Sequence, residues 1–197
     1  NTLLSDLKQK IINAQIKASV RVNSELILLY WELGKAIVMK QNEANWGDGL
    51  IKQLSKDLIA EFPHTKGFSE RNLKYIRQWF KFYNQDIQIG QQVVAQIPKE
   101  LQQKFDTKIR QQVVAQNKLG FIDILSLVPW GHHIQIISTC QDLDSALFYI
   151  LNTIENSWSR SVLVHQIESK LFERQGKSIN NFEITLPKPE SALANEL

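Results

Sequence analysis

The first 33 residues contain neither glycine nor proline, and their apolar side chains recur at steps of three and four. Leu4, Leu7, Ile11, Ala14, Ala18, Val22, Leu26, Tyr30, Leu33 and Ile37 trace one stripe at the helical period. Asn23 would serve as an N-cap if the stretch were two helices. The stripe keeps its phase through it, so a single long helix is expected. Such a helix needs a partner for its stripe, in a hairpin or in a dimer.

The rest of the chain is punctuated at few points. Asn45-Trp46-Gly47-Asp48-Gly49 reads as a turn. A second helix follows, with Leu50, Leu54, Leu58 and Ile59 on one side, and it stops before Pro63, whose ring disfavours helix at the preceding residue. Residues 63–68 form a loop, and Ser69 is placed to cap a third helix that runs to about Tyr83. Between Gln85 and Gln116 lie ten glutamines, and Gln-Gln-Val-Val-Ala-Gln occurs at 91–96 and again at 111–116. A repeat that short builds no solenoid, so the segment reads as a connector. Beyond it, helices are expected over 132–140, 143–156 and 159–174, the last capped by Ser159 and stopped near Gly176. Phe182 to Leu186 is a weak candidate for a short extended piece, and the tail around Pro187 and Pro189 resembles a linker.

The fold class is therefore all-α: a long amphipathic helix with a helix-turn-helix-like bundle, and a second helical subdomain after the Gln-rich connector. The expected boundaries are 1–85, 86–128, 129–182 and a linker over 183–197. Composition agrees, with 43% hydrophobic and 22% charged residues, five Trp and nine Phe. The lone cysteine, Cys140, rules out an internal disulfide framework and suits a reducing compartment. No apolar run approaches the roughly 20 residues that cross a bilayer, and no signal-peptide pattern opens the chain, so a cytoplasmic protein without membrane contact is expected.

Candidate chemistry is sparse. His132 and His133 are neighbours, which a helix turns about 100° apart, so they do not chelate one metal together. The only further soft ligands are His64, His165 and Cys140. Glu168-Ser169-Lys170 and Asp106-Thr107-Lys108 mimic part of a nuclease signature. The first falls on an expected helix, where positions i and i+2 do not share a face. No catalytic residue, metal site or cofactor is expected in this chain.

The clearest functional signal lies from His64 to Tyr83. Lys66, Arg71, Lys74, Arg77 and Lys81 stand against Glu70 alone, a local charge of +4 where the whole chain carries +3. On a helical wheel Leu73, Ile76, Phe80 and Tyr83 make the buried stripe. Arg71, Lys74, Arg77, Gln78 and Lys81 lie opposite, bordered by Tyr75 and Phe82. Basic side chains beside aromatics suit phosphate contact with stacking. Ser69 and Asn72 join the candidate set at the helix start. The alternative is a solvated amphipathic face with Glu70 and Lys74 paired at i,i+4. A weaker second cluster holds Ser159, Arg160, Lys170, Arg174 and Lys177. Arg160 and Lys177 are its nucleic-acid candidates, although Arg160 equally suits pairing with Glu155 or Glu168.

Several ordered motifs together carry a family resemblance. They are Val22-Asn23, Leu29-Tyr30-Trp31-Glu32-Leu33-Gly34, Leu54-Ser55-Lys56-Asp57-Leu58, Phe62-Pro63 and Gly67-Phe68-Ser69-Glu70-Arg71-Asn72-Leu73. The second half adds Pro129-Trp130-Gly131-His132-His133, Asn156-Ser157-Trp158-Ser159-Arg160 and Glu173-Arg174-Gln175-Gly176-Lys177. The chain resembles the N-terminal helical domain of the YhcG family of predicted PD-(D/E)XK nucleases. The resemblance implies that a restriction-endonuclease-like domain, with its Mg²⁺, would begin about where this sequence stops.

Two function classes follow. The first is a non-catalytic DNA-binding accessory domain whose partners are DNA and its own C-terminal nuclease domain. The second is a protein-interaction or homodimerisation scaffold, motivated by the long N-terminal helix and the many aromatics.

Overall fold

Helix α1 spans Thr2–Ala44 in the computed structural model, which describes residues 2–44, 49–85 and 120–176. Its 43 residues reach about 65 Å at 1.5 Å each. The single long helix is as expected, but its stripe is not buried as one. Ser24, Ile27, Tyr30, Gly34 and Ile37 form the covered line. Leu4, Ile11 and Val22 are 58%, 57% and 69% exposed. Spacing shows which residues a helix is able to bury, whereas burial also needs a neighbour. The neighbours, α3 and α4, meet α1 in its second half.

Helix α2 (Gly49–Glu61) buries Ile51 and Ser55 and packs on α3. The chain then turns at Pro63, with the Thr65 N–H donating to the Phe62 carbonyl. Helix α3 (Glu70–Asn84) starts where Ser69 Oγ accepts the Asn72 N–H at 3.3 Å, a side-chain cap for an otherwise unpaired donor. Its buried face is Leu73, Ile76, Trp79, Phe80 and Tyr83. Trp31 of α1 meets both Trp79 and Phe80 edge-on, with ring centroids 5.4 and 4.8 Å away. Gly34 permits that closeness: a Cβ there would sit 2.6 Å from Phe80 Cβ and 3.0 Å from the Ile76 carbonyl oxygen.

Residues 120–128, expected within the connector, hold a short helix, α4 (Phe121–Ser126), whose Phe121, Ile124 and Leu125 are buried. Its C-terminal carbonyls find partners on α1. Asn23 Nδ2 donates to the Ser126 and Val128 oxygens, and Ser24 Oγ also donates to the Ser126 oxygen. Asn23 therefore caps another helix rather than starting its own. Helix α5 (Trp130–Thr139) begins behind Pro129, whose carbonyl accepts the His132 and His133 N–H groups. Its start lies two residues ahead of the expected 132.

The chain divides into two compact units between Ile137 and Ser138. In the second unit, α6 (Leu143–Asn156) is capped by Asp142 Oδ1, which accepts the Ser145 N–H at 2.7 Å. It ends at Ser157 in the left-handed region, φ 52°. Helix α7 (Arg160–Glu168) is capped by Ser159 as expected, but it does not continue to 174. Lys170 takes φ 54°, and Phe172–Gly176 forms a π-helical turn. The Tyr149 hydroxyl holds this break. It donates to the Gln166 carbonyl and accepts the Phe172 N–H at 3.2 Å. Among the described residues there is no strand. Phe182 to Leu186, the duplicated hexapeptide, the turn at 45–48 and the 183–197 linker lie outside the described residues.

Candidate nucleic-acid interface

The start of α3 is pinned from three sides. Ser55 Oγ of α2 donates to the Phe68 carbonyl at 2.8 Å. Gly67 takes φ +111°, a conformation suited to glycine, and a Cβ there would lie 2.5 Å from the Tyr30 hydroxyl. Asn72 completes the junction. Its Nδ2 donates to the Gly67 oxygen at 2.6 Å and to Tyr30 Oη at 3.4 Å, and its Oδ1 accepts Trp130 Nε1–H at 2.8 Å. Burial raises the Tyr30 hydroxyl pKa, against the opposing pull of the Asn72 hydrogen bond.

The cationic side chains divide around this junction. Arg71 is exposed, and its guanidinium carbon lies 5.8 Å from the Tyr75 ring centroid, within cation–π range. Lys74 Nζ meets Glu70 at 2.8 Å with both side chains about two-fifths exposed. Such a pair contributes under about 1 kcal/mol and opens readily for another anion. Together Glu70, Arg71, Lys74, Tyr75 and Gln78 line an open groove of about 500 Å³. A smaller recess of about 250 Å³ adjoins it, lined by Ser69, Arg71, Asn72, Tyr75 and Ile134.

The other candidates lie elsewhere or are occupied. Arg77 is half-buried and donates to Gln41 Oε1 of α1 at 3.4 Å. Gln78 borders the groove but also donates to the Ile137 carbonyl. Ser69 serves as the helix cap. Lys66 is exposed in the loop, and Lys81 is exposed in the last turn of α3, where a cation suits the helix dipole. Arg160 is exposed at the first turn of α7, in the second unit. Lys177 lies outside the described residues. Trp79, outside the stripe expected from the sequence, is 0% exposed, and its spacing from Ile76 and Tyr83 puts it on the buried line. Ile134, likewise outside the expected set, reaches the recess from 62 residues beyond Asn72.

Burial pushes the His133 imidazole down to about 4, against the opposing hydrogen bond from Nε2–H to the Leu125 carbonyl at 2.9 Å. His133 is thus a neutral core residue beside Trp79, with ring centroids 5.2 Å apart. No group of three His, Cys, Asp or Glu is placed to hold a metal ion among the described residues. In Glu168-Ser169-Lys170 the helix ends at Glu168, and Lys170 turns away to meet Glu173 at 3.6 Å. Glu168 and Lys170 therefore do not lie on one helix, because the helix breaks between them. No helix among the described residues is long and apolar enough to cross a membrane.

These features define, among the described residues, an all-helical fold with a cation-bearing face on α3 beside a recessed aromatic junction. The chain belongs to the family described as DUF1016 N-terminal domain, whose model matches residues 6–174. That span agrees with the resemblance to the YhcG-type family. No curated protein and no solved structure matches the chain.

Proposed function

We propose that this chain is a non-catalytic DNA-binding accessory domain of a cytoplasmic PD-(D/E)XK nuclease, and that the open side of α3 holds the phosphates. One observation carries the reading: Arg71, Lys74 and Tyr75 share one groove on a helix whose opposite side is entirely buried. A phosphate entering beside Arg71 would meet a guanidinium held over the Tyr75 ring, and it would displace Glu70 from Lys74 at small cost. Lys66, in the loop before α3, and Lys81, in its last turn, add exposed positive charge at either end of the helix. In this reading the active site and its Mg²⁺ belong to the nuclease domain, and this domain supplies the grip.

Mobility shifts with duplex, single-stranded and branched DNA at two salt levels test it. Four cationic contacts would give a log–log salt slope of about −3.6 on duplex. The double reversal Arg71→Glu and Lys74→Glu should abolish retardation while leaving the thermal melt unchanged. Wild-type protein that retards no DNA at low salt overturns the reading, as does a double variant that binds like wild type. A second reading, an interaction domain, is favoured by a separate observation: the uncovered first half of α1.

A further inference from the structure

Every residue from Leu3 to Ser19 is exposed, although the stretch is rich in large apolar side chains. Leu3 is 72% exposed, and Leu7, Ile12 and Ile16 are exposed as well. At about 100° per residue, Leu4, Leu7, Ile11, Ala18 and Val22 fall within about 60° of one another. Leu4, Ile11 and Ala18 occupy the a positions of a heptad, with Leu7 and Ala14 at d. The strip is narrow, and its alanines leave room for another helix to approach closely.

The edges of the strip are basic. Lys10 and Lys17 follow one side, Lys8 lies on the other, and Arg21 takes the d position at the end of the strip, against the single acid Asp6. A second copy of the chain brings no acid to either edge. Parallel pairing sets Lys10 against Gln15 and Lys17 against Val22, and antiparallel pairing sets the lysine edges against each other. A membrane is a poorer fit, because residues 2–22 contain no aromatic anchor.

We infer that residues 3–22 form a docking strip for an acidic amphipathic helix of another protein, one with apolar residues at a and d and Asp or Glu beside them. The inference rests on the interaction-domain reading and names its partner by chemistry. The full chain is tested by fluorescence anisotropy against two synthetic peptides of about three heptads, both with Leu at a and d. One carries Glu at e and g, and the other carries Lys. The Glu peptide should bind about tenfold more tightly than the Lys peptide, as expected for several exposed ion pairs, and the margin should shrink with salt. The triple change Lys8→Glu, Lys10→Glu and Lys17→Glu should reverse the preference. Ile11→Asp should abolish binding without moving the thermal melt, since this side chain is exposed in the fold. Equal affinity for the two peptides overturns the acidic partner while leaving an interaction strip. A wild-type dimer in sedimentation that Ile11→Asp dissociates assigns the strip to a second copy instead, and binding to anionic vesicles but to neither peptide assigns it to a membrane. Binding to neither peptide, with a monomer unaffected by Ile11→Asp, overturns the interaction reading itself.

Discussion

Trp130 Nε1–H donates to Asn72 Oδ1 across 2.8 Å, and the two residues stand 58 positions apart in the chain. With Nδ2 committed to Gly67 and Tyr30, Asn72 has both amide donors and one lone pair of Oδ1 engaged inside the fold. Replacing it with alanine strands the Trp130 N–H and the Gly67 carbonyl. Asn72→Ala should therefore lower unfolding free energy by about 2 kcal/mol, measured by urea denaturation. A variant of wild-type stability that has lost only DNA affinity would show that Asn72 faces the ligand instead.

The same commitment bears on DNA choice. An amide that reads adenine needs a donor and an acceptor together; Asn72 has both donors and one acceptor site engaged inside the fold, and Gln78 directs its amide nitrogen to the Ile137 carbonyl. Arg71 and Lys74 remain for backbone contact. Duplexes of scrambled sequence should bind within about threefold of one another, whereas affinity should fall steeply with salt. Competition assays that isolate one preferred sequence would contradict this.

Gly34→Ala tests the α1–α3 contact. In an ordinary helix this change is stabilising by roughly 0.5–1 kcal/mol. Here the new Cβ would meet Phe80 Cβ at 2.6 Å, and neither atom sits at the end of a flexible side chain. A net loss of about 2 kcal/mol is expected, within the range for overpacking. A melting temperature at or above wild type would show that the helices have room.

His133 makes stability depend on pH with a definite sign. Its folded pKa of about 4 lies below the ordinary 6.5, so between those values the unfolded chain binds more protons. Stability is fully present above pH 6.5 and declines by about 1.4 kcal/mol per unit as pH falls toward 4. NMR titration of the native imidazole gives the direct check. A midpoint near 6.5 would mean that the ring is solvated.

Cys140 should be sluggish toward alkylation. Burial pushes its thiol up to about 11, although a hydrogen bond to Ser145 pulls the other way. Two units above the ordinary value leave about one-hundredth of the usual thiolate. Iodoacetamide should modify the native protein about 100-fold more slowly than the urea-unfolded chain. Equal rates would place the thiol at the surface.

The local features were legible in the sequence. Helix α1, the buried line of α3 apart from Trp79, and the caps Ser69 and Ser159 follow from spacing and side-chain chemistry within four residues. What depended on distant partners was not. Asn72 looks like a polar residue at an exposed helix start until Tyr30 and Trp130 arrive from 42 and 58 positions away. Periodicity joined the two halves of α1 into one stripe, because it registers amphipathicity and not the presence of a covering helix. The break after Glu168 escaped notice because Lys170 is an ordinary helix former, and its left-handed turn is held by Tyr149 on another helix. For the groove, charge and spacing identified Arg71, Lys74 and Tyr75, but not that Arg77 would turn toward Gln41.

Gly34 has an effect far from its own position. An α-helix is torsionally stiff, so a contact that locks one turn also locks the azimuth of every turn continuous with it. By seating α1 against Phe80, Gly34 sets the compass bearing of Leu4, Ile11 and Val22, the first of them some 45 Å away along the axis. Rotating the helix by one residue at that seat would swing those side chains through about 100°. The hydrogen atom at position 34 thus aims the far end of the helix.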